Sequence, residues 1–109
     1  GQYSIMAEPE DLEFKTMFGA KVSKSSDVEP HILRKCVEFL NDRLQDNNIT
    51  AEKMQEHVLG LKALLDKDHG YPWNCIAGTN YGTHITGARG TFAFFYINNY
   101  AITIYKVGI

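Results

Sequence analysis

After Asp68 this 109-residue chain contains no aspartate or glutamate, and Arg89 and Lys106 are the only charged side chains beyond Trp73. A carboxylate pair working as general acid and base in that region is therefore excluded. Serine occurs only at positions 4, 23, 25 and 26, which leaves the later half of the chain without a serine nucleophile. The two cysteines, Cys36 and Cys75, fall at apolar positions and read as small core residues rather than as a disulfide or a nucleophile. His31, His57, His69 and His84 lie on different elements with no metal-ligand spacing, and no calcium loop of the Asp-x-Asp-x-Asp-Gly type is present. Neither Gly-x-x-x-x-Gly-Lys nor Gly-x-Gly-x-x-Gly occurs, so nothing cradles a phosphate. No apolar run approaches the ~20 residues that span a bilayer, and Gly1 to Met6 reads as neither a signal nor a transit peptide. A formal charge of −2 gives nucleic acid and anionic membranes no attraction. These absences argue for a protein that is not an enzyme and uses no metal or cofactor.

The composition, 44% hydrophobic and 22% charged, is that of an ordinary globular chain of one domain. Residues 1–19 are mixed and acidic around Glu8-Pro9-Glu10-Asp11 and read as a flexible tail or linker; residues 20–109 form the domain. Ala20 to Ser23 alternates briefly, as a short strand would. Asp27 is placed to cap a first helix, with Glu29 and Pro30 in its first turn. Val28, Ile32, Cys36, Leu40 and Leu44 recur every fourth residue and predict a helix of about 18 residues, ended by Asp46-Asn47-Asn48. Thr50 can cap a second helix, with Met54, Val58, Leu61 and Leu65 on its apolar stripe, running to about Asp66. Four strands follow: Trp73 to Gly78, Asn80 to Thr86, Phe92 to Ile97 and Tyr100 to Lys106, the last two joined through Asn98-Asn99. Helices followed by strands indicate an α+β fold, two helices packed on one face of an antiparallel sheet.

Alternation sorts the sheet residues. Phe92, Phe94 and Tyr96 share one face, while Ala93, Phe95 and Ile97 share the other; Ile102 and Ile104 oppose Ala101, Thr103 and Tyr105. Two helices cover one side only. The second side is then a wide aromatic surface, expected to be covered by a second copy of the chain and to keep a groove for a peptide.

Trp73-Asn74-Cys75-Ile76-Ala77-Gly78-Thr79-Asn80-Tyr81-Gly82-Thr83, followed by Thr86, Phe92, Phe94-Phe95-Tyr96 and Ala101-Ile102 through Lys106, resembles the eight-kilodalton dynein light chain family, as does the stretch Asp27 to Ile49. The resemblance implies a strand-exchanged homodimer that takes up extended target segments on a strand edge, often of Thr-Gln-Thr type. By position, Tyr81, Gly82, Thr83, His84, Ile85, Thr86 and Gly87 would form the pairing edge, with Phe92, Phe94, Tyr96 and Ala101 as the groove floor. Asn74, Tyr81, Thr83, His84, Ile85 and Thr86 would meet the second copy. The implied role is a cytoplasmic, cytoskeleton-associated adaptor binding linear motifs of the dynein intermediate chain or of other proteins.

The chain departs from the family pattern at several of these positions. The family's acid–lysine pair at the start of the second helix has only Thr50-Ala51 or Met54-Gln55 to match it. His84 and Gly87 replace the usual tyrosine and histidine, and Asn74 stands at the usual interface histidine. Leu64-Leu65-Asp66, Gly70 before Trp73, and Tyr96 with Asn98-Asn99-Tyr100 are similar to the dynein-light-chain-like domains of flatworm tegumental calcium-binding proteins. That alternative implies a dimerisation or docking domain, located in the tegument, with a degenerate peptide groove.

Overall fold

The computed structural model describes residues 2–6, 13–78 and 84–107. Two helices, Pro30–Asn41 (α1) and Ala51–His69 (α2), pack on one face of an antiparallel sheet. The sheet holds Phe14–Met17 (β2), Ala20–Ser23 (β3), Trp73–Gly78 (β4), Ala93–Ile97 (β6) and Tyr100–Lys106 (β7), in the order β2-β3-β6-β7-β4. Gln2–Met6 (β1) and His84–Ala88 (β5) form a separate two-stranded ladder. The fold is thus the α+β arrangement that the sequence predicts.

The main core lies between the helices and the sheet. Ile32, Leu33, Cys36, Val37 and Leu40 from α1 and Val58, Leu61 and Leu65 from α2 meet Phe95, Ile97, Ile102 and Ile104. A fully buried side chain of this size contributes roughly 1.5–3 kcal/mol relative to exposure. Both cysteines belong to this core and are unbonded. Burial pushes the Cys75 thiol up to about 12 and the Cys36 thiol higher still, which keeps both protonated and inert.

The first helix is shorter than its periodicity suggests. Glu29 takes the cap position, Pro30 opens the helix, and the helix stops at Asn41. Leu44 is nevertheless fully buried, because a turn with the Arg43 and Leu44 amides on the Leu40 carbonyl keeps it on the same side. Asp27 does not cap the helix. Its two carboxylate oxygens point instead at the amides of Gly90 and Phe92, accepting each at 3.0 Å.

The second helix begins as expected, with the Lys53 amide donating to Thr50 Oγ1 at 3.1 Å. It runs three residues past Asp66, to His69, where Gly70 at φ +75° ends it in a conformation costly for any residue with a Cβ. Trp73 then closes the end: its amide donates to Asp66 Oδ1 at 2.8 Å and its indole Nε1 to the His69 carbonyl at 3.4 Å.

Between residues 13 and 19 the chain adds β2, which pairs with β3 from Phe14↔Ser23 to Met17↔Ala20. Phe18 and Gly19 link the two strands, both at positive φ (53° and 81°), as a type I′ hairpin requires. The β6–β7 hairpin turns at Asn98, also at positive φ (55°), in keeping with its asparagine.

Candidate strand-pairing site

The two faces of the sheet separate as alternation predicts. Ala93, Phe95, Ile97, Ile102 and Ile104 join the helix-side core, and Phe92, Phe94 and Ala101 form a second cluster with half-buried Phe14, Tyr96 and Tyr105. This second face is not bare in the single chain: Phe92, Phe94 and Ala101 are all at most 4% exposed. Phe14 of β2 covers part of it, its ring 6.1 Å from Phe94 and 5.8 Å from Tyr96, and Phe94 meets Tyr96 edge-on at 5.3 Å. The Lys21 ammonium lies 4.6 Å above the Phe14 ring. β2 thus supplies some of the cover of this face in cis. The sequence offers Phe14, with Leu12, Met17 and Phe18, as a tail residue that touches the body or a neighbour; the strand that carries it is not legible because Lys15 and Thr16 interrupt the alternation around it.

β5 reaches this face at its end. A Cβ at Gly87 would lie 3.0 Å from the Lys106 carbonyl oxygen and 3.1 Å from the Tyr105 ring, so the strand crosses β7 closely enough that a larger residue would need β7 to give by a few tenths of an ångström. Tyr105 also accepts from Asn74 Nδ2 at 3.0 Å, tying β7 to β4.

Of the residues expected on the pairing edge, His84, Ile85, Thr86 and Gly87 lie in β5, in register with Met6, Ile5, Ser4 and Tyr3. Tyr81, Gly82 and Thr83 lie outside the described residues. Asn74 is half-buried in β4 at the opposite margin of the five-stranded sheet. β4 pairs with β7 on one side, and among the described residues nothing pairs with its other edge.

A cavity of about 400 Å³ opens beside these strands, between the start of α2 and the end of β4. Ile49, Ala51, Met54, Gln55, Ala77, Gly78 and Tyr100 line it. Tyr100 shapes its wall by donating to the Asp46 carbonyl at 2.8 Å and accepting the Ile49 amide at 3.2 Å. Among the described residues no Asp, Glu, Lys, Arg or His side chain lines the cavity, so it suits an uncharged side chain. Among the described residues no group of three His, Cys, Asp or Glu could hold a metal ion, and no helix is long and apolar enough to cross a membrane.

These features define a small α+β domain whose β4 edge is unpaired among the described residues and whose β5 packs against the sheet without joining its hydrogen-bonded ladder. Residues 20–107 match the model of the family described as dynein light chain type 1, and the chain belongs to that family. Cytoplasmic dynein light chain 1 of Debaryomyces hansenii is 31% identical over 80% of this chain and 91% of its own length. The protein of the same name from Candida glabrata is 29% identical over 62% of this chain and 87% of its own. Among solved structures, two of the dynein light chain-like domain of the Fasciola hepatica calcium-binding protein FhCaBP2 superpose with TM-scores of 0.65 and 0.66. They cover 91–93% of this chain and 94–97% of theirs at 14–15% identity, and share its fold.

Proposed function

We propose that this chain is a non-catalytic adaptor: a strand-exchanged homodimer that binds extended peptide segments by β-augmentation, as a subunit of dynein or of other complexes. The observation that carries the reading is the separation of β5 from the five-stranded sheet, together with the unpaired outer edge of β4 among the described residues. A strand that leaves its own sheet can complete the β4 edge of a second copy and still offer its other edge to a target. The family membership and the yeast relatives named cytoplasmic dynein light chain 1 support a cytoplasmic, cytoskeleton-associated setting.

Sedimentation at micromolar concentration tests the dimer; a monomer alone would overturn the exchange. A peptide library screened by amide exchange tests the groove. Binding through β5 slows exchange at His84–Ala88, and protection confined to other elements would count against it.

The start of α2 favours a second reading. Where relatives carry an acid–lysine pair, the cavity here meets Ala51, Met54 and Gln55. On that reading the domain is the dimerisation or docking part of a calcium-binding tegumental protein, and Thr-Gln-Thr peptides do not bind it.

A further inference from the structure

β5 already carries a strand. Gln2–Met6 lies antiparallel along it, with Gln2 opposite Ala88, Tyr3 opposite Gly87, Ser4 opposite Thr86, Ile5 opposite Ile85 and Met6 opposite His84. β1 belongs to no other sheet, so this ladder is its only strand pairing among the described residues.

We infer that Gln2–Met6 is a built-in occupant of β5, a strand that competes in cis with the extended targets of the proposed adaptor. This rests on the adaptor reading and narrows it. The segment Gln2-Tyr3-Ser4-Ile5-Met6 has no charge. A target able to replace it shares that chemistry: short, extended and uncharged.

The ladder is suited to exchange. Seven residues separate Met6 from Phe14 of the firmly paired β2, so β1 is tethered near β5 at a high effective concentration. A two-stranded ladder on its own is marginally stable, so a target can displace it. The cost to the target is the fraction of chains in which β1 is open: one open chain in ten weakens apparent affinity about tenfold.

The test compares the full chain with the Tyr3→Pro/Ser4→Pro double variant. Neighbouring residues send their N–H groups to opposite edges of a strand, so one of the two prolines removes a donor facing β5 whichever way β1 is turned. The probe is a fluorescent synthetic peptide, Gln-Tyr-Ser-Ile-Met with capped ends. The variant is expected to exchange the His84–Ala88 amides about tenfold faster, to regain protection on adding the probe, and to bind the probe about tenfold more tightly than the parent. An unchanged melting temperature of the five-stranded core separates this from misfolding. Ile5→Lys, which keeps every backbone donor, is the second variant and is expected to move both readouts in the same direction by less. Equal β5 protection in parent and variants, or equal probe affinity, overturns the inference. If library peptides protect β5 equally with and without the prolines, cis occupancy falls and the adaptor reading stands. If the probe binds the variant but no library peptide protects β5 in either protein, the adaptor reading falls and cis occupancy stands.

Discussion

Asp27 and Phe92 are joined by two reciprocal hydrogen bonds, the Phe92 amide donating to Asp27 Oδ1 at 3.0 Å and the Asp27 amide donating to the Phe92 carbonyl at 2.9 Å. With the Gly90 amide on Asp27 Oδ2, they clamp the approach to α1 onto the loop that leaves β5. Asp27→Ala removes the acceptor of both amides and is expected to cost about 1–2 kcal/mol, since bonds to a carboxylate are stronger than neutral ones but this one is partly solvated. Asp27→Asn keeps one acceptor and loses roughly half as much. Urea denaturation of both variants reads the difference, and Asp27→Ala equal to the parent would contradict the clamp.

Phe18 holds a left-handed backbone at φ 53° in the β2–β3 turn, with its side chain 44% exposed. A bulky residue pays about 1–2 kcal/mol for that conformation, whereas asparagine before glycine is the favoured type I′ pair. The contact it forfeits, the Arg34 guanidinium 5.9 Å from the ring centre, is weak at that exposure. Phe18→Asn is therefore expected to stabilise the protein by about 0.5–1 kcal/mol. A lower melting temperature would show that Phe18 is held for a contact rather than tolerated.

His69 sits at the end of α2, its ring 5.7 Å from that of His31, and its Nε2 is buried with no hydrogen-bond partner among the described residues. Burial, then the positive charges of Lys35 and His31, hold its proton affinity below the ordinary value of 6.5, against the opposing pull of Asp68 and Glu29. The Lys106 ammonium approaches from β7, donating to the His69 carbonyl at 3.3 Å. Because the folded value is depressed, the unfolded chain binds the proton first as pH falls below 6.5. Stability is then level above that pH and declines below it until the folded value is passed. Asp66 and Asp68, held down chiefly by their hydrogen bonds from Lys62 and Lys35, act in a lower window beneath their ordinary 3.8. Melting temperatures between pH 5 and 7 are expected to fall with acid in the parent and to flatten in His69→Asn.

Tyr100 ties the α1–α2 connection to β7 by two bonds through one hydroxyl. Tyr100→Phe leaves the ring in place and frees the Ile49 amide and the Asp46 carbonyl. The expected loss is about 1–2 kcal/mol, with faster exchange at the Ile49 amide. Unchanged exchange there would mean that the hydroxyl does not hold the loop.

The two faces of the sheet were legible because strand side chains alternate strictly, so Phe92, Phe94 and Ala101 could be told from Phe95 and Ile102 by parity alone. Thr50 was legible as a cap because its partner, Lys53, is three residues away. Asp27 was not, for the opposite reason: its partners lie beyond residue 89, and no local pattern announces them. β2 escaped because its order comes from the Phe18-Gly19 turn rather than from alternation. The pairing edge is the least legible part, since which strand lies beside β5 depends on competition between segments distant in sequence.

The outer margin of β4 has a consequence for handling the protein. Trp73–Gly78 carries no charge and no proline, and Ile76 stands 38% exposed on it. Sheets usually guard such margins with lysine, proline or a bulge, and this one has none of the first two. Under the strand exchange proposed above, the strand that completes the β4 edge would also keep the chain dispersed. A copy deprived of that pairing is expected to leave the soluble fraction as disordered aggregate, so loss of assembly and loss of yield become a single event.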